Sequence, residues 1–134
     1  MALTLEQARA ADSLAKIRAL EPLGPGPKGY GNYRSYAEAL PATIVMNGLG
    51  QAAATLLGQA KGKESDPHRL LYNHLSQWLC RDAPDAPYKS EPQLIDAIVS
   101  KHEDTYLVAQ AEALAWLVWL KKFSKAYLKK GSDD

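Results

Sequence analysis

The last third of the chain constrains the fold most strongly. From Tyr106 to Leu120 almost every residue is apolar, and only Gln110 and Glu112 interrupt the run. A helix that is apolar on nearly all sides is typical of a central, buried element. The run is shorter than the roughly 20 residues that a membrane-spanning helix needs. We therefore expect a long core helix and no membrane contact.

The remaining segments also carry helical patterns, because apolar residues recur at steps of three and four and no stretch alternates as a strand does. A first helix is predicted over 4–20, with Thr4 as its N-cap. A second is predicted over 33–60, kinked or restarted at Pro41, which lacks a backbone N–H. Gly48 and Gly50 in this segment are expected to mark the close approach of another element.

Three further helix starts can be predicted. The sequence 65–67, Ser-Asp-Pro, is typical of an N-cap followed by a proline in the first turn. A short helix is predicted to start at 90–92, and it is expected to bury Leu94, Ile95, Ile98 and Val99. Ser100 and Glu103 fit a capping box that opens the last and longest helix.

These elements predict an all-α fold, a single compact bundle of five to six helices with a long buried C-terminal helix. Residues 1–134 are expected to form one domain. A Gly/Pro-rich loop is predicted over 22–32, a second loop over 82–90 and a disordered tail over 131–134. The first residues contain no basic and apolar leader, so a cytoplasmic location is expected.

Charge is balanced overall but unevenly distributed. The formal net charge is +1, which is not typical of a general nucleic-acid-binding protein. Six acids and two lysines lie between Asp82 and Asp104, whereas five lysines and one acid lie between Thr105 and Lys130. An acidic stretch and a basic end suit head-to-tail contacts as well as phosphate binding.

The sequence contains no pattern typical of a catalytic or metal site. His68 and His74 are six residues apart on one helix, a spacing that metal ligands do not use, so surface or capping roles are favoured. His102 lies at a helix start, where a solvated role is expected. Cys80 is interpreted as a small core residue, although the adjacent Arg81 leaves a reactive thiol as the alternative. We predict no enzyme, no metal and no cofactor.

One face of the last helix is basic. Lys121, Lys122 and Lys125 fall together, with Lys129 following, while Trp116 and its apolar neighbours fall on another side. Cations near a helix C-terminus interact favourably with the helix dipole and keep the surface soluble. The same strip can instead follow a phosphate backbone. The residues alone leave both explanations open.

Two blocks of sequence carry a family resemblance. The first is 36–50, Tyr-Ala-Glu-Ala-Leu-Pro-Ala-Thr-Ile-Val-Met-Asn-Gly-Leu-Gly. The second runs from Asp104-Thr105-Tyr106 through the Glu-Ala-Leu-Ala-Trp-Leu segment that starts at Glu112 to Phe123 and Ala126. Their order and spacing resemble those of the small helical subunit of the Cmr effector complex, the type III-B CRISPR system.

The resemblance implies a non-catalytic structural subunit. Copies would stack as a minor filament beside the backbone subunit of the Cmr complex and help line a basic channel that holds guide RNA and target RNA. Lys121, Lys122 and Lys125 become the first candidates for RNA-backbone contact, with Lys129 beside them. Further basic residues lie in less diagnostic sequence and are secondary candidates: Arg9, Lys16, Arg18 and Arg34. Glu112, Asn47 and the tryptophans are expected to be structural.

A second hypothesis does not involve nucleic acid. A helical adaptor or regulatory dimer would use the aromatic surface and charged ends for protein contacts alone. Charge reversal on the lysine face separates the two hypotheses, because only an RNA-contacting subunit would lose salt-dependent RNA binding.

Overall fold

The computed structural model describes residues 3–131, and in that range it is all-helical, as predicted. A short 3₁₀ turn, Glu21–Leu23, follows the first helix. The helices are α1 (Leu5–Leu20), α2 (Tyr33–Asn47), α3 (Leu49–Ala60), α4 (Pro67–Leu79), α5 (Leu94–Ser100) and α6 (Glu103–Tyr127). Within the described range no helix is both long and apolar enough to cross a membrane. Residues 132–134 of the predicted tail lie outside the described residues, whereas Gly131 is buried.

Two predicted helix starts are confirmed by their capping contacts. Thr4 Oγ1 accepts a hydrogen bond from Gln7 N at 3.0 Å, and Gln7 Oε1 accepts one from Thr4 N at 2.9 Å. Asp66 Oδ1 accepts a hydrogen bond from the backbone N–H of His68 at 2.8 Å. Each contact satisfies a backbone donor that the first turn of a helix leaves without an intrahelical partner.

The break in the second helical segment lies at Gly48, and of the predicted kink or restart at Pro41 the restart is wrong. Pro41 lies inside α2, which continues because Leu40 and Ile44 on the same helix are buried in the core. Gly48 separates α2 from α3 with a φ of +89°. A Cβ on Gly48 would lie 2.9 Å from the hydroxyl oxygen of Tyr106. This is the predicted close approach.

The start of α3 is capped by side chains of α6. Tyr106 Oη accepts a hydrogen bond from Gly50 N, and Gln110 Oε1 accepts one from Leu49 N, both at 2.9 Å. These acceptors replace the missing side-chain N-cap of α3. The junction between α2 and α3 is thereby fixed to the N-terminal half of α6.

Three details around α5 differ from the predictions. The helix starts at Leu94 rather than at 90–92, and Val99 is 77% exposed instead of buried. The N-cap of α6 is His102, whose ring Nδ1 accepts a hydrogen bond from Asp104 N. Ser100 forms no capping box, because its hydroxyl donates to the carbonyl oxygen of Asp96 and so ends α5.

The long helix α6 is packed unevenly along its length. The part of α6 from Glu112 onward lies between α1, which runs parallel to it, and α2, which runs antiparallel. Arg9 meets Glu112 and Arg18 meets Tyr127, while Arg34 meets Leu128 just beyond the helix. α1 does not extend along the N-terminal half, where Leu107 is 58% exposed. The long C-terminal helix is confirmed, but it is buried on part of its circumference only.

Candidate nucleic-acid interface

The exposed side of α6 changes character along the helix. At 100° per residue, Leu107, Ala111 and Val118 share one face with the lysines further along, and all three are exposed. We call this face the exposed stripe. Its basic part consists of Lys121, Lys122 and Lys125, which are exposed and form no ion pair within residues 3–131. Three adjacent, uncompensated cations can bind a polyanion.

Lys129 lies just beyond α6, where the chain is fixed to the start of α2. Leu128 is buried, and its carbonyl oxygen accepts a hydrogen bond from Arg34 Nη1 at 3.3 Å. The backbone N–H of Lys129 donates to Tyr30 Oη at 2.9 Å. The side chain of Lys129 is exposed, so the structure places it at the same end of the bundle as the basic part of the stripe.

Arg18 reaches this end from α1. Its guanidinium carbon lies 5.9 Å from the centre of the Tyr127 ring, and the residue is exposed. Lys28 and Lys130, which the sequence analysis did not single out, are exposed here as well. The one sequence signal for Lys28 is its position in the Gly/Pro-rich loop, directly before Gly29 and Tyr30.

Arg9 does not belong to the candidate interface. Its Nε and Nη2 atoms each lie 2.8 Å from an oxygen of Glu112, and its side chain is only 17% exposed. The hydrogen bonds that Arg9 donates to the Glu112 carboxylate are the main reason that the pKa of Arg9 is raised. Glu112 also accepts from Trp78 Nε1 at 3.0 Å, so this carboxylate joins α1, α4 and α6. Both Arg9 and Glu112 are therefore structural.

Lys16 and Arg34 are likewise engaged inside the molecule. Lys16 Nζ lies 2.6 Å from Asp12 Oδ2, its side chain is 12% exposed, and burial lowers its pKa. Arg34 Nε lies 3.1 Å from Glu38 Oε1, and its side chain is 20% exposed. Of the four secondary candidates, Arg18 alone presents a free cation to solvent among the described residues.

The acidic stretch is also divided by the structure. Asp85 pairs with Arg81 at 3.1 Å, and Glu91 pairs with Lys101 at 2.7 Å. Asp96 and Glu103 are exposed and have no ion pair in residues 3–131. An uncompensated acid also remains in the 82–90 loop, where exposed Asp82 accepts a hydrogen bond from Ser90 Oγ at 2.9 Å. The other two lie close together in sequence: Asp96 is in the first turn of α5, and Glu103 is the first residue of α6.

Exposed apolar side chains lie at the same end as these acids. Val45 and Met46, at the end of α2, are 69% and 81% exposed, and Val99 of α5 is 77% exposed. The segments meet because Gly50 contacts both Tyr106 and Ile98. Together with Leu107 and Val108 of α6 they form what we call the apolar end. Single exposed apolar residues are ordinary, but a group of five at one end indicates a contact surface.

The histidines do not form a metal site. The ring of His68 stacks on Tyr36 at 3.8 Å and its Nδ1 lies 2.8 Å from Oδ1 of Asp66. The N-cap of α4 is Asp66 and the His68 side chain is 16% exposed, so His68 is neither the cap nor a surface residue, contrary to the prediction. His74 is not a surface residue, contrary to the prediction: it is half-buried, its Nδ1 lies 2.7 Å from Tyr33 Oη, and burial lowers its pKa to about 4. No group of three or more potential ligands occurs in residues 3–131.

Cys80 and Trp116 are buried, as expected for a core cysteine and a structural tryptophan. Burial raises the pKa of the Cys80 thiol to about 11, so the thiol stays protonated at neutral pH and the core interpretation is confirmed. Tyr33 and Trp116 are fully buried. Their positions favour packing over base stacking.

Comparison with known proteins agrees with this architecture. Residues 5–127 match the family model described as CRISPR-associated protein (Cas_Cmr5). The chain is also similar to the crystal structure of a CRISPR-associated Cmr5 family protein from Thermus thermophilus, with a TM-score of 0.70 and 28% sequence identity. The match covers 95% of this chain and 100% of the Thermus chain. The chain therefore belongs to the Cmr5 family of CRISPR-associated proteins.

Proposed function

We propose that the protein is a non-catalytic structural subunit of a type III-B CRISPR (Cmr) effector complex in the cytoplasm. Copies of the chain stack as a minor filament beside the backbone subunit, and each copy contacts the backbone of guide or target RNA. Family membership supports a structural role in a CRISPR-associated complex together with other Cmr subunits. The observation that carries the RNA contact is the group of three exposed, unpaired lysines on α6.

The chemistry of these lysines suits phosphate contacts rather than base reading. A lysine ammonium is a compact point charge on a flexible stem, and it binds phosphate oxygens without a fixed geometry. Contacts of this kind hold an RNA in register but carry no sequence information. They fit a complex in which base pairing to a guide recognises the target.

The apolar end supports the stacking part of the proposal. Asp96 and Glu103 flank exposed apolar side chains there, whereas the opposite end carries Arg18 and the lysines. An acidic, apolar surface at one end and a basic surface at the other are complementary, so successive copies can associate in one direction.

The RNA contact is tested in the assembled complex with Lys121→Glu plus Lys125→Glu. The slope of log affinity for target RNA against log salt is expected to decrease by about 0.7–0.9 for each phosphate contact that is lost. Lys61→Glu plus Lys63→Glu is the matched control, since both lysines are exposed in the turn after α3, form no ion pair in the described residues, and give the same change in net charge. Equal slopes for the two double variants would contradict RNA contact and favour a protein adaptor that does not bind nucleic acid.

A further inference from the structure

The Gly/Pro-rich loop between the 3₁₀ turn and α2 is closed by its own backbone. The carbonyl oxygen of Gly24 accepts a hydrogen bond from Tyr30 N at 2.9 Å. The carbonyl oxygen of Gly26 accepts from Gly29 N at 2.9 Å and from Gly31 N at 3.2 Å. A Cβ on Gly29 would overlap the carbonyl oxygen of Gly24, so only glycine fits there. Residues 24–31 therefore adopt a defined shape, and we call them the closed loop.

The closed loop is attached to two other parts of the molecule. Tyr30 is only 2% exposed, and its hydroxyl oxygen accepts the backbone N–H of Lys129. Gly31 lies against Pro67, whose Cγ atom would be 2.9 Å from a Cβ at position 31. The loop is thus held between the segment that follows α6 and the start of α4.

Lys28 is the one cation that the closed loop presents to solvent. It is exposed and has no ion pair within the part of the chain that the structure describes. Two peptide units separate it from Tyr30, so their Cα atoms lie within about 7 Å. Because Tyr30 bonds to Lys129, the two lysines flank the same buried ring.

We propose that the closed loop is a second RNA-contacting element, in which Lys28 and Lys129 bind phosphates of the same RNA strand that the lysines of α6 contact. This inference rests on the proposed function and assigns a role to a segment that the family resemblance leaves without one. The loop extends the basic surface from one helix face across the end of the bundle, past Arg18.

Two features favour RNA over an acidic protein surface as the partner of the loop. A Cβ at Gly24 or at Gly26 would meet nothing within 4 Å, so the loop backbone is open and a phosphate can approach it closely. The loop is also already ordered by its internal hydrogen bonds, so it loses little conformational entropy when it binds a partner.

The test uses the assembled complex with Lys28→Glu in place of the natural subunit. The salt slope of target-RNA affinity is expected to fall by about 0.7–0.9 for each contact, which corresponds to roughly five- to eightfold weaker binding at 0.1 M salt. Lys89→Glu is the matched control, because it makes the same charge change at an exposed position in the 82–90 loop. Tyr30→Phe keeps the charge but removes the acceptor for Lys129 N, and an intermediate loss is expected.

The outcomes separate the inference from the proposed function. If Lys28→Glu behaves like Lys89→Glu while the α6 double variant lowers the salt slope, the loop does not contact RNA and the inference is overturned alone. If none of the variants changes the salt slope, the subunit does not contact RNA, and both the inference and the RNA contact in the proposed function are overturned. If Lys28→Glu reduces the yield of assembled complex but leaves the salt slope unchanged in the complexes that form, the loop binds an acidic protein surface and the inference is overturned. Since Lys28 is exposed and forms no ion pair in the described residues, this variant is expected to fold normally.

Discussion

The two halves of α6 are held by different kinds of contact. The C-terminal part, from Glu112 onward, is fixed by buried or half-buried charged groups: Glu112 binds Arg9 and Trp78, and Asp12 accepts from Trp116 Nε1 at 2.8 Å. The part before Glu112 is fixed by neutral hydrogen bonds that the first backbone N–H groups of α3 donate to Tyr106 and Gln110. One half therefore depends on paired charges, and the other on the fit of a glycine junction.

The exposed stripe also changes along the helix. It is apolar at Leu107, Ala111 and Val118 and basic from Lys121 onward. The change in outward chemistry therefore lies within the part of α6 that packs against α1, and not at the boundary between the two kinds of internal contact. The comparison teaches that a continuous helix can carry two separable contact surfaces, each of which can be altered without affecting the other.

The largest effect is expected for Glu112→Ala. Arg9 would lose both charged hydrogen bonds while remaining mostly buried, and Trp78 Nε1 would lose its acceptor. Removing one partner of a buried pair costs about 3–5 kcal/mol, measurable as the free energy of unfolding in urea. Glu6→Ala, which removes an exposed partner of the same Arg9, should cost no more than about 1 kcal/mol. Equal losses would show that the buried carboxylate does not hold the three helices.

A smaller loss is expected for Gly48→Ala at the junction that the N-terminal half of α6 caps. An alanine there must adopt a φ of +89° and bring its Cβ to 2.9 Å from Tyr106 Oη. Strain of this kind costs about 1–3 kcal/mol. Gly58→Ala is the control, since a Cβ in this helical position meets nothing within 4 Å and should stabilise the chain by about 0.5–1 kcal/mol. If Gly48→Ala left the free energy of unfolding unchanged, the junction would be flexible.

Acid should destabilise the protein through His74, whose ring Nδ1 lies 2.7 Å from Tyr33 Oη of α2. The unfolded histidine has a pKa near 6.5, whereas the folded one has a pKa of about 4. As the pH falls from 6.5 toward 4, His74 binds a proton in the unfolded chain but not in the folded chain. The free energy of unfolding therefore decreases. For a half-buried group we expect about 1–2 kcal/mol between pH 7 and 4.5.

Unfolding in urea across this pH range measures the effect. His74→Gln should show a flatter pH profile than the natural chain, because the group that titrates is gone. A profile for His74→Gln that is as steep as that of the natural chain would mean that other groups cause the acid sensitivity.

The smallest effect on stability is expected for Leu107→Asp, on the apolar part of the stripe. Leu107 is 58% exposed, so the free energy of unfolding should change by less than about 0.5 kcal/mol. Self-association or incorporation into the complex, measured by sedimentation or co-purification, should nevertheless weaken. Ala54→Asp on exposed α3 is the control. Undiminished assembly would show that copies do not meet at the apolar end.

Much of the fold could be predicted because its signals are local. Thr4 and Asp66 mark helix starts through contacts that span two or three residues, and apolar periodicity marks the helices themselves. The break at Gly48 could not be placed, because it depends on Tyr106, which is far away in the sequence. Val99 was wrongly assigned to the core, since a seven-residue helix gives too little periodicity to define its buried face.

The candidate site was harder to predict because charge does not reveal its partner. Arg9, Lys16 and Arg18 look equivalent in sequence, yet two are paired internally and only Arg18 is free among the described residues. Lys28 was not recognised as a candidate from the sequence. It is brought near Lys129 because Tyr30 Oη accepts a hydrogen bond from the backbone N–H of Lys129, 99 residues further along the chain.

The contact between Arg9 and Glu112 also has a consequence for synthesis. The two residues are separated by 103 positions, and α1 packs chiefly along α6, which begins only at Glu103. A chain that emerges from the ribosome N-terminus first exposes α1 long before its partner exists. The first helix must wait for α6, so a translation product interrupted before that helix cannot take the place of a finished subunit.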